Sequence, residues 1–249
     1  GDLKNDHTLL EPQNILPERL KKAGYVTAQF GKWHVGESID IVKNGFDHVY
    51  PQNSAAPFPS NIDKNGNDRP LKVYPTEGYH LETCTSAATA IIKRYKDNPF
   101  FLYVAYRAPH VPLDAPKKYI NRFPGEMPER RRKALAMLSA VDDGVGQIMT
   151  TLKEENLLEN TLIFYIGDNG APYKLRKRDA PGNGAGWNGS LNDPLNGEKG
   201  SLIEGGMRVP YLVSWKGVLP EGKIYNESLS TLDVAATSVA LAGLPEDKK

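Results

Sequence analysis

The chain has 249 residues, long enough to bury a sizeable core as one large α/β domain or two small ones, and it reads as a single domain spanning 1–249. With 39% hydrophobic and 24% charged residues, the composition is that of a globular protein and excludes a chain built of low-complexity sequence. Lys and Arg number 31 against 30 Asp and Glu, so the net charge of +1 excludes a global field that gathers polyanions, and any anion has to be captured locally.

Pro12 to Ala23 carries Ile15, Leu16, Leu20 and Ala23 at helical spacing and stops at Gly24, a residue suited to a left-handed cap. Val26 to Phe30 then reads as a short strand running into Gly31-Lys32-Trp33-His34. Tyr50 to Pro75, rich in Pro, Asn, Gly and Ser, reads as an irregular surface excursion. Leu81 to Lys96 is predicted as a helix, and the almost wholly apolar Phe100 to Tyr106 as a strand buried on both faces, ending at Arg107-Ala108-Pro109-His110.

Pro128 to Asn156 is a long amphipathic helix, with Leu135, Leu138, Val141, Val145, Ile148, Met149 and Leu152 as its apolar stripe. The basic cluster Arg130 to Lys133 opens that helix and reads as a solvated face, not a nucleic-acid footprint. Thr161 to Ile166 is a third apolar strand, ending at Gly167-Asp168-Asn169-Gly170. Ala171 to Gly200 is a long Gly- and Asn-rich loop, and loops of that length in a compact domain are commonly functional. Pro210 to Trp215 is a fourth strand, and Thr231 to Ala242 a closing helix whose Asp233 suits its positive end.

Helices alternating with buried strands argue for an α/β fold around a mostly parallel or mixed central sheet flanked by helices. No apolar run approaches the roughly 20 residues that span a bilayer, and the first residues lack the shape of a signal peptide. The single cysteine, Cys84, excludes an intrachain disulfide framework and leaves the compartment open.

In open α/β sheets ligands sit outside the carboxyl ends of the strands, where several loops meet. Three predicted strands end in polar clusters: Lys32 with His34, then His110, then Asp168 with Asn169. With Lys199 these residues are expected to converge on one cationic, metal-holding pocket for a tetrahedral anionic ester. Asp168 and Asn169 offer a carboxylate and an amide oxygen, which suit Ca²⁺ or Mg²⁺ better than zinc, yet Ca²⁺ takes about six to eight oxygens, so further ligands are needed. Asp142-Asp143 lies inside the long helix and reads as a solvated position. Lys32, His34, His110 and Lys199 supply cationic donors for the anion's oxygens, and a histidine can exchange protons near neutral pH. The glycines at Gly197, Gly200, Gly205 and Gly206 would let backbone approach such a ligand.

These segments resemble a known family. Gly24 to Gly36, with Gly31-Lys32-Trp33-His34, looks like the GKWH segment of type I, arylsulfatase-like sulfatases. Pro99 to Pro112 is similar to that family's second histidine motif, Gly167 to Gly170 to its metal-binding Asp-Asn pair, and Gly197 to Pro210 to its second lysine motif. The resemblance covers the chain from about Ile15 to Ala242. It implies an alkaline-phosphatase-like fold and hydrolysis of sulfate esters with bound Ca²⁺ and a formylglycine made from Cys or Ser. Lys32, His34, His110 and Lys199 would contact the sulfate, Asp168 and Asn169 would hold calcium, and His110 or His34 would protonate the leaving oxygen. A periplasmic or secreted location is also implied.

The family's Cys-or-Ser-x-Pro-x-Arg nucleophile motif and its earlier Asp-Asp pair do not occur in these 249 residues. Cys84, in Glu82-Thr83-Cys84-Thr85-Ser86, lacks the Pro and Arg and reads as structural. The sequence is therefore expected to be a sulfatase fragment, truncated at both ends and with little activity alone. Sulfated carbohydrate, or a small sulfate ester, is the expected substrate class, with sugar contacts sought in the loop carrying Arg176, Arg178 and Trp187. A phosphomonoesterase or phosphodiesterase of the same superfamily, and a non-catalytic module binding sulfated glycans, are the competing readings. Oligomeric state is not legible.

Overall fold

The computed structural model describes residues 14–51, 58–172 and 189–245. They fall into two compact units: Gly1–Tyr106 with Gln147–Glu155 and Ile224–Lys249, and Arg107–Gly146 with Asn156–Lys223.

The first unit opens with α1 (Leu16–Lys22), which starts later than its sequence pattern because Pro17 occupies the first turn, where a missing N–H costs nothing. Gly24, at φ +88°, ends it. Its N–H reaches Lys21 O at 3.0 Å and that of Tyr25 reaches Leu20 O at 3.0 Å, the paired bonds of a Schellman cap. The turn delivers the chain into β1 (Val26–Gly31), the middle strand of a parallel sheet ordered β2-β1-β5, with β2 at His48–Tyr50 and β5 at Phe100–Ala105.

Strand alternation then sorts the core. Ala28 and Phe30 of β1 and Tyr50 of β2 pack with Ile62 against Cys84, Ala87, Ala88 and Ile91 of α2 (His80–Arg94). A second cluster holds Val49 of β2 with Ile41 and Phe46, packed by Trp33 and Phe101. Gln29, one residue out of phase with Phe30, is fully buried.

β5 is not buried on both faces: Tyr103 is 47% exposed, because β5 is the edge strand of this sheet among the described residues. The expected surface excursion after Tyr50 is instead an antiparallel hairpin of β3 (Pro59–Ile62) and β4 (Asp68–Val73). Its turn was written in Asp63-Lys64-Asn65-Gly66-Asn67. Asp63 Oδ1 accepts the Asn65 and Asn67 amides at 2.8 and 2.9 Å, and Gly66 takes φ +76°. Arg94 of α2 pairs both nitrogens with Asp68 at 2.8 and 2.6 Å and pins the hairpin to the helix.

The cysteine is structural, as its sequence context suggested. Cys84 is buried at 1% exposure, and burial pushes its thiol up to about 12 although the Gly31 backbone pulls the other way. Since the thiolate is the reactive form, the native protein should resist a thiol reagent at pH 8 and react fully once unfolded in guanidinium. Rapid labelling of the native chain would contradict this burial.

The second unit contains α3 (Lys117–Ile120), β6 (Ile163–Ile166), α5 (Glu204–Met207) and β7 (Tyr211–Ser214). The sheet content is mixed: β6 pairs antiparallel with β7, from Ile163 opposite Ser214 to Ile166 opposite Tyr211, in a two-stranded ladder of its own. Among the described residues the strands before the three polar clusters belong to two hydrogen-bonded sheets, β1 and β5 to one and β6 to the other.

The long helix α4 spans Glu129–Glu154 and contributes residues to both units. Its buried residues include Ala134, Met137, Val141 and Leu152, while Leu138 is 40% exposed. The small side chains of Ala134, Ala136 and Ala140 supply a seam that a count of large apolar residues misplaces. Arg130 to Lys133 are half-buried, not solvated. Arg131 donates to Gly189 O at 2.9 Å and Arg132 to the carbonyls of Phe123 and Gly125, so these guanidiniums tie loops to the helix start. No helix among the described residues is long and apolar enough to cross a membrane. The last helix, α6 (Leu232–Leu241), has Asp233 accepting the Ser230 amide at 2.6 Å, the N-terminal acid its sequence promised.

Candidate active site

In the first unit, β1 ends in a turn fixed from several sides. The Lys32 amide donates to Ala105 O of β5 at 2.7 Å, which continues the ladder one residue past the strand. Gly31 takes φ +82°, and a Cβ there would lie 2.3 Å from Ala105 O, so only glycine passes. The buried Gln29 side chain donates from Nε2 to Gly31 O at 3.1 Å and Lys32 O at 3.3 Å. Trp33 packs edge-on against Phe46 with ring centroids 6.0 Å apart, so it is the anchor of the GKWH segment. Lys32 is half-buried and His34 exposed.

His110 belongs to the second unit and stands between two cis X-Pro bonds, Ala108-Pro109 and Val111-Pro112. Its Nδ1 lies 2.6 Å from Val111 O. A carbonyl can only accept, so Nδ1 carries the proton and Nε2 is the basic nitrogen of the neutral ring. Arg107 donates to the same carbonyl at 2.6 Å and packs beside the imidazole, with burial pulling its guanidinium below the usual range. Sequence reasoning passed over Arg107, because an arginine at a strand end is ordinarily solvated.

Asp168, Asn169 and Lys199 lie on backbone segments that the second unit interlocks. Asp168 is exposed, and its Oδ1 accepts the Asn169 amide at 2.9 Å. Asn169 Nδ2 donates to Gly170 O at 2.9 Å, which turns its carbonyl oxygen away from that contact. The Gly170 amide then donates to Gly206 O at 3.0 Å, and the Gly205 amide to Asn196 O at 2.6 Å. Lys199, exposed, sits in a turn closed by Ser201 N–H to Glu198 O at 2.9 Å, with Gly200 at φ +89°.

The glycines of these motifs serve one another. A Cβ on Gly170 would lie 1.7 Å from Gly205 O, one on Gly205 would lie 2.4 Å from Gly197 O, and one on Gly206 would lie 2.4 Å from Ser201 O. Of the glycines expected to let backbone approach a ligand, Gly205 and Gly206 permit close approach of backbone to backbone, a Cβ on Gly197 would meet the Ile203 and Ser201 side chains at 2.4 and 2.7 Å, and Gly200 has nothing within 4 Å. Asn192 adds a side-chain bridge to Ala171 and Gly197 that no sequence signal singled out.

Asp168 and Asn169 fit a hard cation in kind, one carboxylate and one amide oxygen on adjacent residues. They do not complete a site: among the described residues no group of three or more His, Cys, Asp or Glu is placed to hold a metal ion. Asp142 is exposed on α4, and Asp143 is committed to Arg122, whose two nitrogens reach it at 2.9 and 2.8 Å, so the pair is a helix face as expected. Arg176, Arg178 and Trp187 lie outside the described residues.

The family model described as Sulfatase matches residues 4–244. N-acetylgalactosamine-6-sulfatase of Homo sapiens is 31% identical over 258 residues, covering 96% of this chain and 47% of that protein. Arylsulfatase J of Mus musculus is 30% identical over 242 residues, covering 91% of this chain and 38% of its own length. Among solved structures, Ps i-CgsB in complex with k-i-k-neocarrahexaose superposes with a TM-score of 0.77 at 30% identity, over 93% of this chain and 54% of that one. The chain thus spans about half the length of the curated relatives it matches.

Proposed function

The chain belongs to the sulfatase family, and from that premise we propose that the protein carrying it hydrolyses sulfate esters, with a sulfated carbohydrate as substrate. The observation that supports this most is the interlocked pair of segments that presents Asp168-Asn169 and Lys199 on a common backbone frame. Sulfated carbohydrate is favoured because one similar structure is a complex with k-i-k-neocarrahexaose and one relative is an N-acetylgalactosamine-6-sulfatase.

In the proposed mechanism Lys32, His34, His110 and Lys199 donate to the sulfate oxygens and neutralise charge that develops as the ester bond breaks. His110 keeps its Nδ1–H on Val111 O, so in the protonated ring the Nε2 proton is the one passed to the bridging ester oxygen as its bond to sulfur breaks, which leaves the ring neutral; His34 is the alternative donor. Asp168 and Asn169 would supply two oxygens to Ca²⁺, or alternatively Mg²⁺, with the remaining ligands coming from outside the described residues. Such a cation, when bound, stabilises negative charge on the sulfate. The formylglycine implied by the resemblance needs a Cys-or-Ser-x-Pro-x-Arg motif that these 249 residues do not contain. Binding without appreciable turnover is therefore the expected behaviour of this polypeptide alone. Arg176 and Trp187 are proposed sugar contacts, and an exported location, periplasmic or secreted, suits a carbohydrate substrate.

Calorimetry with a sulfated oligosaccharide and its desulfated counterpart tests this reading. Heat confined to the sulfated ligand supports it, and equal heats with both contradict it.

A further inference from the structure

We propose that Asn192 is a positioning residue whose side-chain amide couples the Asp168-Asn169 turn to the turn bearing Lys199. The proposal deepens the functional reading above and rests on its assignment of those residues to cation and sulfate.

The geometry is that of a strand pairing made by a side chain. Asn192 Oδ1 accepts the Ala171 amide at 2.8 Å, while Nδ2 donates to Ala171 O at 2.8 Å. The second hydrogen of Nδ2 goes to Gly197 O at 2.9 Å. Ala171 follows Gly170 directly after the Asp168-Asn169 pair, and Gly197 stands two residues before Lys199. One amide therefore spans both functional segments from within the same unit. The Lys199 amide itself approaches Ala171 O at 3.4 Å, so the carbonyl that Asn192 holds also faces the lysine turn.

Only asparagine meets this requirement at this reach. Two donors and one acceptor are used at once, and the amide group alone offers both kinds on adjacent atoms. Aspartate keeps the volume and the bond from Ala171 N–H, but it sets a carboxylate oxygen against the carbonyls of Ala171 and Gly197. The glycine contacts at Gly170, Gly205 and Gly206 fix the backbone on the other side of the pair, so Asn192 supplies a second, separate tie. Together with the Lys199 amide on Ala171 O, these ties resist a relative rotation that a single one would allow. Groups that orient ligands at a metal site typically change affinity by about 10- to 100-fold when removed.

The test uses the 249-residue chain as wild type, Asn192→Ala and Asn192→Asp, the isosteric variant carrying the test should the alanine variant not fold. Amide hydrogen exchange without ligand comes first. Ala171 and Lys199 are expected to exchange about tenfold faster in Asn192→Ala, and Lys199 in Asn192→Asp, which keeps the Ala171 N–H bond, with the β6 and β7 amides unchanged. Titrations with CaCl₂ and with inorganic sulfate follow, read by amide NMR shifts. In the wild type calcium should move the Lys199 amide as well as that of Asn169. In the variants calcium affinity should fall about 10- to 100-fold and Lys199 should no longer respond to it. Unchanged exchange at Lys199 in both variants overturns the tie. Faster exchange with undiminished affinity for both ions overturns the positioning role and leaves the functional reading standing. A wild type that responds to neither ion overturns the functional reading, and the positioning role falls with it.

Discussion

Alanine at Gly170 is expected to cost the protein about 3 kcal/mol or more, the upper end of what overpacking costs. The new Cβ would meet Gly205 O at 1.7 Å and Gly205 C at 2.8 Å, and both contacts are backbone, so no side-chain rotation relieves them. The hydrogen bond from Gly170 N–H to Gly206 O would be lost, and the two functional segments would separate. Thermal unfolding gives the magnitude, and amide shifts at Asn169 and Lys199 show where the damage falls. Gly146 is the control: it lies inside α4 with nothing near its missing Cβ. Alanine there should be neutral or stabilising by about 0.5–1 kcal/mol through helix propensity. Equal losses at both positions would contradict the interlocked arrangement.

The second large effect is on ligand binding. Lys199 is exposed in a rigid turn, so Lys199→Ala should leave the melting temperature within about 1 °C while removing a charge-assisted donor to sulfate. Such a donor contributes about 1.5–3 kcal/mol, which corresponds to a loss of roughly 10- to 100-fold in affinity for a sulfated oligosaccharide. Lys199→Arg should recover part of it, since the charge remains and only its reach and shape change. Asp142→Ala, on the exposed face of α4, should leave affinity unchanged. Titration calorimetry separates these variants.

Much of the architecture was written in periodicity. Helix α2 and helix α4 sit within two residues of their sequence patterns, because long amphipathic stripes outweigh local noise. β1, β5 and β6 were legible as apolar runs that stop at polar clusters, and β7 as a fourth apolar run. The β3–β4 hairpin was hidden by its prolines at Pro59 and Pro70, although the Asn65-Gly66 turn carried the signal. The partners of each strand were not legible: β6 and β7 look like parallel-sheet strands by composition, yet they pair antiparallel with each other. Leu138 was misplaced because alanines, not leucines, line the buried side of α4 there.

The site residues were legible for a different reason. The proposed ones, Lys32, His34, His110, Asp168, Asn169 and Lys199, stand in ordered motifs that resemble those of sulfatases. The supporting residues were not, since Gln29, Arg107 and Asn192 act through backbone carbonyls that only the folded chain brings near. A glutamine inside an apolar strand and an asparagine in a Gly-rich loop carry no periodic or motif signal.

The amide NMR map of an inorganic sulfate titration into the wild-type chain tests the anion site most directly. Saturable shifts are expected at Lys32, His34, His110 and Lys199. Shifts at none of these, or confined to the half-buried arginines Arg130 to Arg132, would contradict it.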